Sequence, residues 1–101
     1  MPTQNFSADL TTRDKQEIAS PGNQILSINI LASTVGVPFR VKIGNSPPIG
    51  PFIGAGPEII GIALNAGTPD SDRVRGAWII AETPTPGAVV EGFISYGGAG
   101  L

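Results

Sequence analysis

Residues 37–43 read Val37-Pro38-Phe39-Arg40-Val41-Lys42-Ile43. Successive side chains of an extended strand point to opposite faces, so Phe39, Val41 and Ile43 share one side and Arg40 and Lys42 the other. The stretch therefore predicts a β-strand with one dry face and one wet face, the usual state of an antiparallel sheet. A strand needs neighbours, and the rest of the chain supplies candidates. Five further apolar runs, at 24–32, 49–53, 58–65, 74–81 and 88–96, are rich in Ile and Val, which suit a pleated surface. Gly and Pro punctuate them, with 14 glycines and 10 prolines in all, so turns join short strands and helices are disfavoured beyond Asn23. Six strands of this length predict an all-β domain: a small antiparallel β-sandwich or a jelly-roll-like barrel.

Four of these runs do not alternate. Ile25-Leu26, Ile59-Ile60, Ile79-Ile80 and Val89-Val90 place apolar side chains on both faces of their strands. One sandwich has one interior, so a second apolar face implies cover from another subunit or another protein. Composition points the same way. Only 14% of the 101 residues are charged, against about 25% in ordinary soluble domains, while 41% are hydrophobic and the mean hydropathy is +0.18. A domain this small buries only roughly 60 to 65% of its unfolded surface, and without cysteine no disulfide adds to that core. These features predict an obligate oligomer or an assembly component, ahead of a monomer whose apolar outer residues are merely scattered.

Residues 1–22 are polar, hold five of the fourteen charges and end at the turn-forming triplet Ser20-Pro21-Gly22. They read as an extended N-terminal arm, with a short helix around residues 14–19 as an option, ahead of a β-domain at 23–101. Phe6, Leu10 and Ile18 are then the arm's apolar contacts to a neighbour, and the arm is expected to be removable without unfolding the rest. Met1 to Asp9 lacks the basic start and apolar core of a secretory leader, and no stretch approaches the roughly 20 apolar residues of a membrane span.

With no histidine and no cysteine, the common nucleophilic triads and zinc sites are absent. Carboxylates remain, but Glu58, Glu82 and Glu91 have little chain with which to build a cleft. Asp70 and Asp72 supply too few oxygens for calcium and read as a solvated turn. Gly50, Gly54, Gly56 and Gly61 match neither a dinucleotide fingerprint nor a phosphate loop, and Asn5-Phe6-Ser7 matches the glycosylation tripeptide by chance. The six basic residues fall in separated pairs at a net charge of −2, which offers no track for a phosphate backbone. The expectation is a protein that is not an enzyme and uses no cofactor, metal, nucleic acid or membrane.

Two features suit protein contact. Arg73 and Arg75, two apart at the head of the run at 74–81, would share a face and pair with Asp70 and Asp72 or with a partner's carboxylates. Trp78, among apolar neighbours, suits a core or subunit interface better than a sugar-stacking platform. The glycine-rich tail at 97–101 could lie in a groove on a neighbour, since glycine permits close backbone approach.

The segments at 38–44 (Pro-Phe-Arg-Val-Lys-Ile-Gly), the Pro and Gly-rich stretch to Gly56, 59–65 (Ile-Ile-Gly-Ile-Ala-Leu-Asn) and 76–80 (Gly-Ala-Trp-Ile-Ile) resemble the small β-sandwich virion proteins of tailed bacteriophages. These are the capsid decoration or cement proteins and related head and tail adaptors. The resemblance implies a structural role in the virion after synthesis in the host cytoplasm. Copies would assemble, often as trimers, over junctions of the major capsid protein. A carbohydrate-recognition module is the alternative from a different class, and a pilus-like or secreted toxin-assembly subunit is a third.

Overall fold

The computed structural model describes residues 3–62, 64 and 71–97, and its regular structure is all β. Eight strands run in chain order: β1 (Thr3–Asp9), β2 (Gln16–Ala19), β3 (Ile25–Ser33), β4 (Pro38–Ile43), β5 (Ile49–Ile53), β6 (Ile60–Ile62), β7 (Ala77–Ala81) and β8 (Val89–Tyr96). They form two four-stranded sheets, β1-β8-β3-β6 and β2-β7-β4-β5, in which every pairing is antiparallel. The pairs β1·β8, β2·β7, β3·β6 and β4·β5 describe a chain folded once, at the turn between β4 and β5, into a long two-limbed ribbon. Successive lengths of that ribbon alternate between the sheets, and the pairings β3·β8 and β4·β7 join them side by side.

The alternation at 37–43 is realised in β4. Phe39, Val41 and Ile43 have no exposed surface, while Arg40 and Lys42 stand on the outer face. Ile79 of β7 and Ile18 of β2 join them from the same sheet, and Ile25, Ile28, Ile30, Val90 and Ile94 meet them from the other, so one cluster serves both sheets. Each such side chain removed from water contributes about 1.5 to 3 kcal/mol. Gly92 shows how tightly the first sheet is built. A Cβ there would lie 2.1 Å from the Asn29 carbonyl oxygen and 2.9 Å from the Phe6 ring, so only glycine lets β8 pass between β1 and β3.

The N-terminal segment is part of this body. β1 pairs with β8 over seven consecutive residues and β2 pairs with β7, while Leu10 between them is fully buried and Ile18 nearly so. The Tyr96 hydroxyl donates to Gln4 Oε1 at 2.8 Å, tying the first strand to the last. The extended arm at 1–22 is therefore corrected, as is the helix at 14–19. Polar residues alternate with Phe6 and Ala8 because β1 is an edge strand with a wet outer face, a pattern easily mistaken for a solvated tail. The run at 74–81 also shortens, since residues 71–75 form turns and β7 starts at Ala77. Ala63, Asn65 and the tail beyond Gly97 lie outside the described residues.

The doubly apolar pairs divide as strands require, with Ile25, Ile79 and Val90 inside and Leu26, Ile80 and Val89 outside. Ile60 packs against the core while Ile59, just before β6, is exposed. Their outer members do not make whole faces apolar, because serine, threonine, asparagine and charged residues surround them.

Removing residues 1–22 takes an edge strand from each sheet and leaves Val90 and Ile79 uncovered. That truncation is expected to abolish the cooperative unfolding transition in circular dichroism. Leu10→Ala should lower stability by about 2 to 5 kcal/mol in urea denaturation, whereas an unchanged midpoint would mean that Leu10 packs against nothing of its own chain.

Candidate functional site

No pocket opens among the described residues, and none of their His, Cys, Asp or Glu side chains are grouped to hold a metal ion. What the chain can offer a partner is therefore its sheet faces, its loop ends and its strand edges.

The outer face of the β1-β8-β3-β6 sheet carries the half-buried Phe93 at its centre within a largely polar surround. Thr3 and Ser27 flank Ser95, Asn5 and Asn29 flank Phe93, and Ser7 lies opposite Glu91. The polar side chains satisfy themselves with water, and the apolar surface on this face is limited to Phe93, Leu31 and the strand-end residues Leu26 and Val89.

Trp78 lies on the outer face of the other sheet, opposite Glu17 of β2 and Lys42 of β4. It is half-buried, and Lys15 Nζ stands 4.7 Å from its ring centre in a cation–π contact. Of the two places expected for it, core or subunit interface, the chain's own core is thus excluded. Trp78 follows buried Ala77 and precedes buried Ile79, and the period of two sends it outward. On the same face Arg40 forms a two-pronged pair with Glu82, which holds the Glu82 carboxyl below the usual glutamate range against the opposing effect of desolvation. Both partners stay well exposed, so the pair adds little stability.

At one end of the molecule, Asp72 clamps the turn after β4. It accepts hydrogen bonds from Ser46 Oγ at 2.6 Å and Asn45 N at 3.4 Å. These bonds, the Ser46 one first, hold the Asp72 carboxyl below its ordinary value although desolvation pushes the other way. Gly44 has φ +56°, and a Cβ there would sit 2.5 Å from the Asp72 carbonyl oxygen. Arg73 donates to the Leu64 carbonyl at 3.2 Å, while Arg75 lies 3.9 Å from Asp72. The two arginines sit in turns rather than on one strand face, and they do different things. Asp70 lies outside the described residues.

The opposite end carries exposed aliphatic side chains. The amide of Thr34 bonds the Val89 carbonyl, that of Gly36 the Gly54 carbonyl, and Ser33 and Gly56 exchange both their bonds. These contacts gather the β3–β4 turn, the loop after β5 and the head of β8 into one region. On it Val35 is 74% exposed, Ile59 71% and Ile53 55%, with Val89 beside them. Sequence reading missed this group because its members are far apart in the chain, and Val35 follows a strand rather than lying within one. Of the interface candidates named from sequence, Leu10 and Ile18 are spent in the chain's own core, Phe6 is half-buried on the edge strand, and Arg75 and Trp78 reach the surface.

No family model, no curated protein and no solved structure matches this chain.

Two outcomes follow from these positions. Ser46→Ala should raise the Asp72 pKa toward the normal aspartate value in an NMR titration. Because Asp72 is depressed in the folded state, its contribution is present above the ordinary aspartate range and is lost as pH falls through the folded value, so the variant should flatten the acid limb of stability. Trp78→Ala should cost about 1 to 2 kcal/mol in thermal or urea melts, below the 3 to 5 of a fully buried large aromatic. A loss in the upper range would mean that the ring is buried.

Proposed function

We propose that this chain is a non-enzymatic structural protein that self-associates and packs against a larger protein lattice, as a capsid decoration or cement protein of a tailed-bacteriophage virion. In this reading the two sheets form a jelly-roll β-sandwich, the architecture of many viral capsid and lectin domains. The ribbon order β1-β8-β3-β6 and β2-β7-β4-β5 supports it.

Architecture alone does not assign a function. The observation that carries the proposal is the apolar end bearing Val35, Ile53, Ile59 and Val89. Large aliphatic side chains held by loops that bond one another form a fixed surface, and water is a poor solvent for it. A partner covering it would gain apolar burial without ordering a flexible segment. The major capsid protein is the partner assigned to this end.

The carbohydrate-recognition alternative draws on the surface position of Trp78. Lys15 already occupies one face of that ring, which leaves less of it for a sugar to stack on.

The test is sedimentation of purified protein with intact virus particles. Wild-type protein should pellet with them. The double variant Val35→Ser, Ile59→Ser should keep its β-type circular dichroism and bind at least tenfold more weakly, since burying each such side chain is worth about 1.5 kcal/mol or more. Equal binding by the variant would overturn the assignment of the apolar end. Binding to glycans that Trp78→Ala abolishes would replace the virion reading with the carbohydrate one.

A further inference from the structure

Among the described residues the two four-stranded sheets have four edges, and three of them are guarded. β6 is three residues long. β2 has four residues and a break in register between Glu17 and Ala19. β5 carries Gly50-Pro51, where proline has no amide to donate, and its pairing with β4 also shifts register. Short length, bulges and proline are the devices by which sheets avoid adding further strands.

β1 has none of them. It runs seven residues in unbroken register against β8, contains no proline and carries one charge, Asp9, at its end. Its free hydrogen-bonding groups can be assigned. The Leu10 amide donates to the Ala88 carbonyl, and the next pair in register is Asp9 with Val89. On the other side of β8, the Val89 carbonyl accepts from Thr34 and the Gly97 amide donates to Gln24. Bonding alternates along an antiparallel ladder, so Gln4, Phe6 and Ala8 bond toward β8. Thr3, Asn5, Ser7 and Asp9 then aim their amides and carbonyls away from the sheet.

We propose that the β1 edge is the self-association surface, and that a second copy of this chain pairs its own β1 there, antiparallel, about a two-fold axis at Phe6. The inference rests on the self-association proposed above, and it replaces the three-fold arrangement implied by the virion resemblance with a two-fold one. The strand is complementary to itself in this register. Asn5 of each copy faces Ser7 of the other and Thr3 faces Asp9, so all four outward-bonding residues find partners and the two Asp9 carboxylates stay apart. Phe6 faces Phe6 in a non-hydrogen-bonded pair, the closer type of cross-strand neighbour. Its ring is only half-buried in one copy, lying over Gly92, and its remaining surface would be covered by the other ring. A charged or proline-bearing strand would not fit this edge in the same way, which is why a second copy is the occupant.

The experiment is sedimentation velocity across a concentration series, with cross-linking as a register-specific check. Wild-type protein should show a concentration-dependent dimer. Ser7→Pro removes an outward amide that bonds nothing within the chain. It should leave circular dichroism unchanged and weaken the dimer on the order of tenfold to a hundredfold. Should Ser7→Pro fail to fold, Asn5→Lys with Ser7→Lys sets like charges opposite each other in the dimer and should leave monomers. The chain has no native cysteine, so Asn5→Cys mixed with Ser7→Cys under mild oxidation should cross-link much faster than either alone. A dimer or trimer indifferent to these edge changes would overturn the β1 assignment while leaving self-association standing. A wild-type monomer at every concentration would overturn both. A monomer whose binding to virus particles is lost with Ser7→Pro would give the edge to a strand of another virion protein and overturn the two-fold pairing.

Discussion

At residue 92 the last strand has no side chain, and the first and third strands close over the gap. The Asn29 carbonyl lies against one side of it and the Phe6 ring against the other. β8 is thereby the strand on which its sheet depends, paired with β1 along seven residues and with β3 along most of its length. β1 and β8 are separated by about eighty residues of chain, so the sheet they share is not complete until both have formed. Loop closure over such distances is entropically costly before the contacts that reward it form. A topology of this kind folds more slowly than one built from local contacts.

The same winding governs the core. Each length of ribbon presents one face inward, and Phe39, Val41 and Ile43 from one sheet meet Ile28, Ile30 and Ile94 from the other. The outer faces are then left with whatever the alternation sends there. On the β1-β8-β3-β6 sheet this is serine, threonine and asparagine around Phe93 and Leu31. On the other sheet it is the Arg40–Glu82 pair and the Lys15–Trp78 contact, which hold partly exposed side chains in place. Low charge in the sequence is thus compatible with wet sheet faces, because neutral polar side chains cover much of them. Most exposed large aliphatics lie on loops and near strand ends, with Val35, Ile53, Ile59 and Val89 at one end and Leu26 and Val74 at the other, while Leu31 stands within β3. An assembly reading accordingly turns on ends and edges, where the chain leaves apolar groups and backbone bonds without partners of its own.

The alternation at 37–43 was sufficient to establish β4 and its faces, and the Ile and Val runs between Gly and Pro were sufficient for an all-β chain. That follows from local physics, since a strand's two faces are set by a period of two and a turn by the conformations that Gly and Pro allow. The absence of histidine and cysteine was legible in the same way. Other features had no local signal. Polar Thr3, Asn5, Ser7 and Asp9 read as a solvated arm until β8, eighty or more residues away, supplies the partner that makes them the outer face of an edge strand. Trp78 reads as core or interface from its neighbours, but which face of β7 is inward is decided by the sheet opposite. The apolar end needs three segments brought together, and the unguarded edge needs a comparison of all four. Composition and periodicity determined that this is a β protein and which face of β4 is dry. Strand order, the burial of Leu10 and Ile18 and the identity of the free surfaces were decided only by tertiary pairing, because hydrogen bonds between distant strands leave no trace in the residues that flank them.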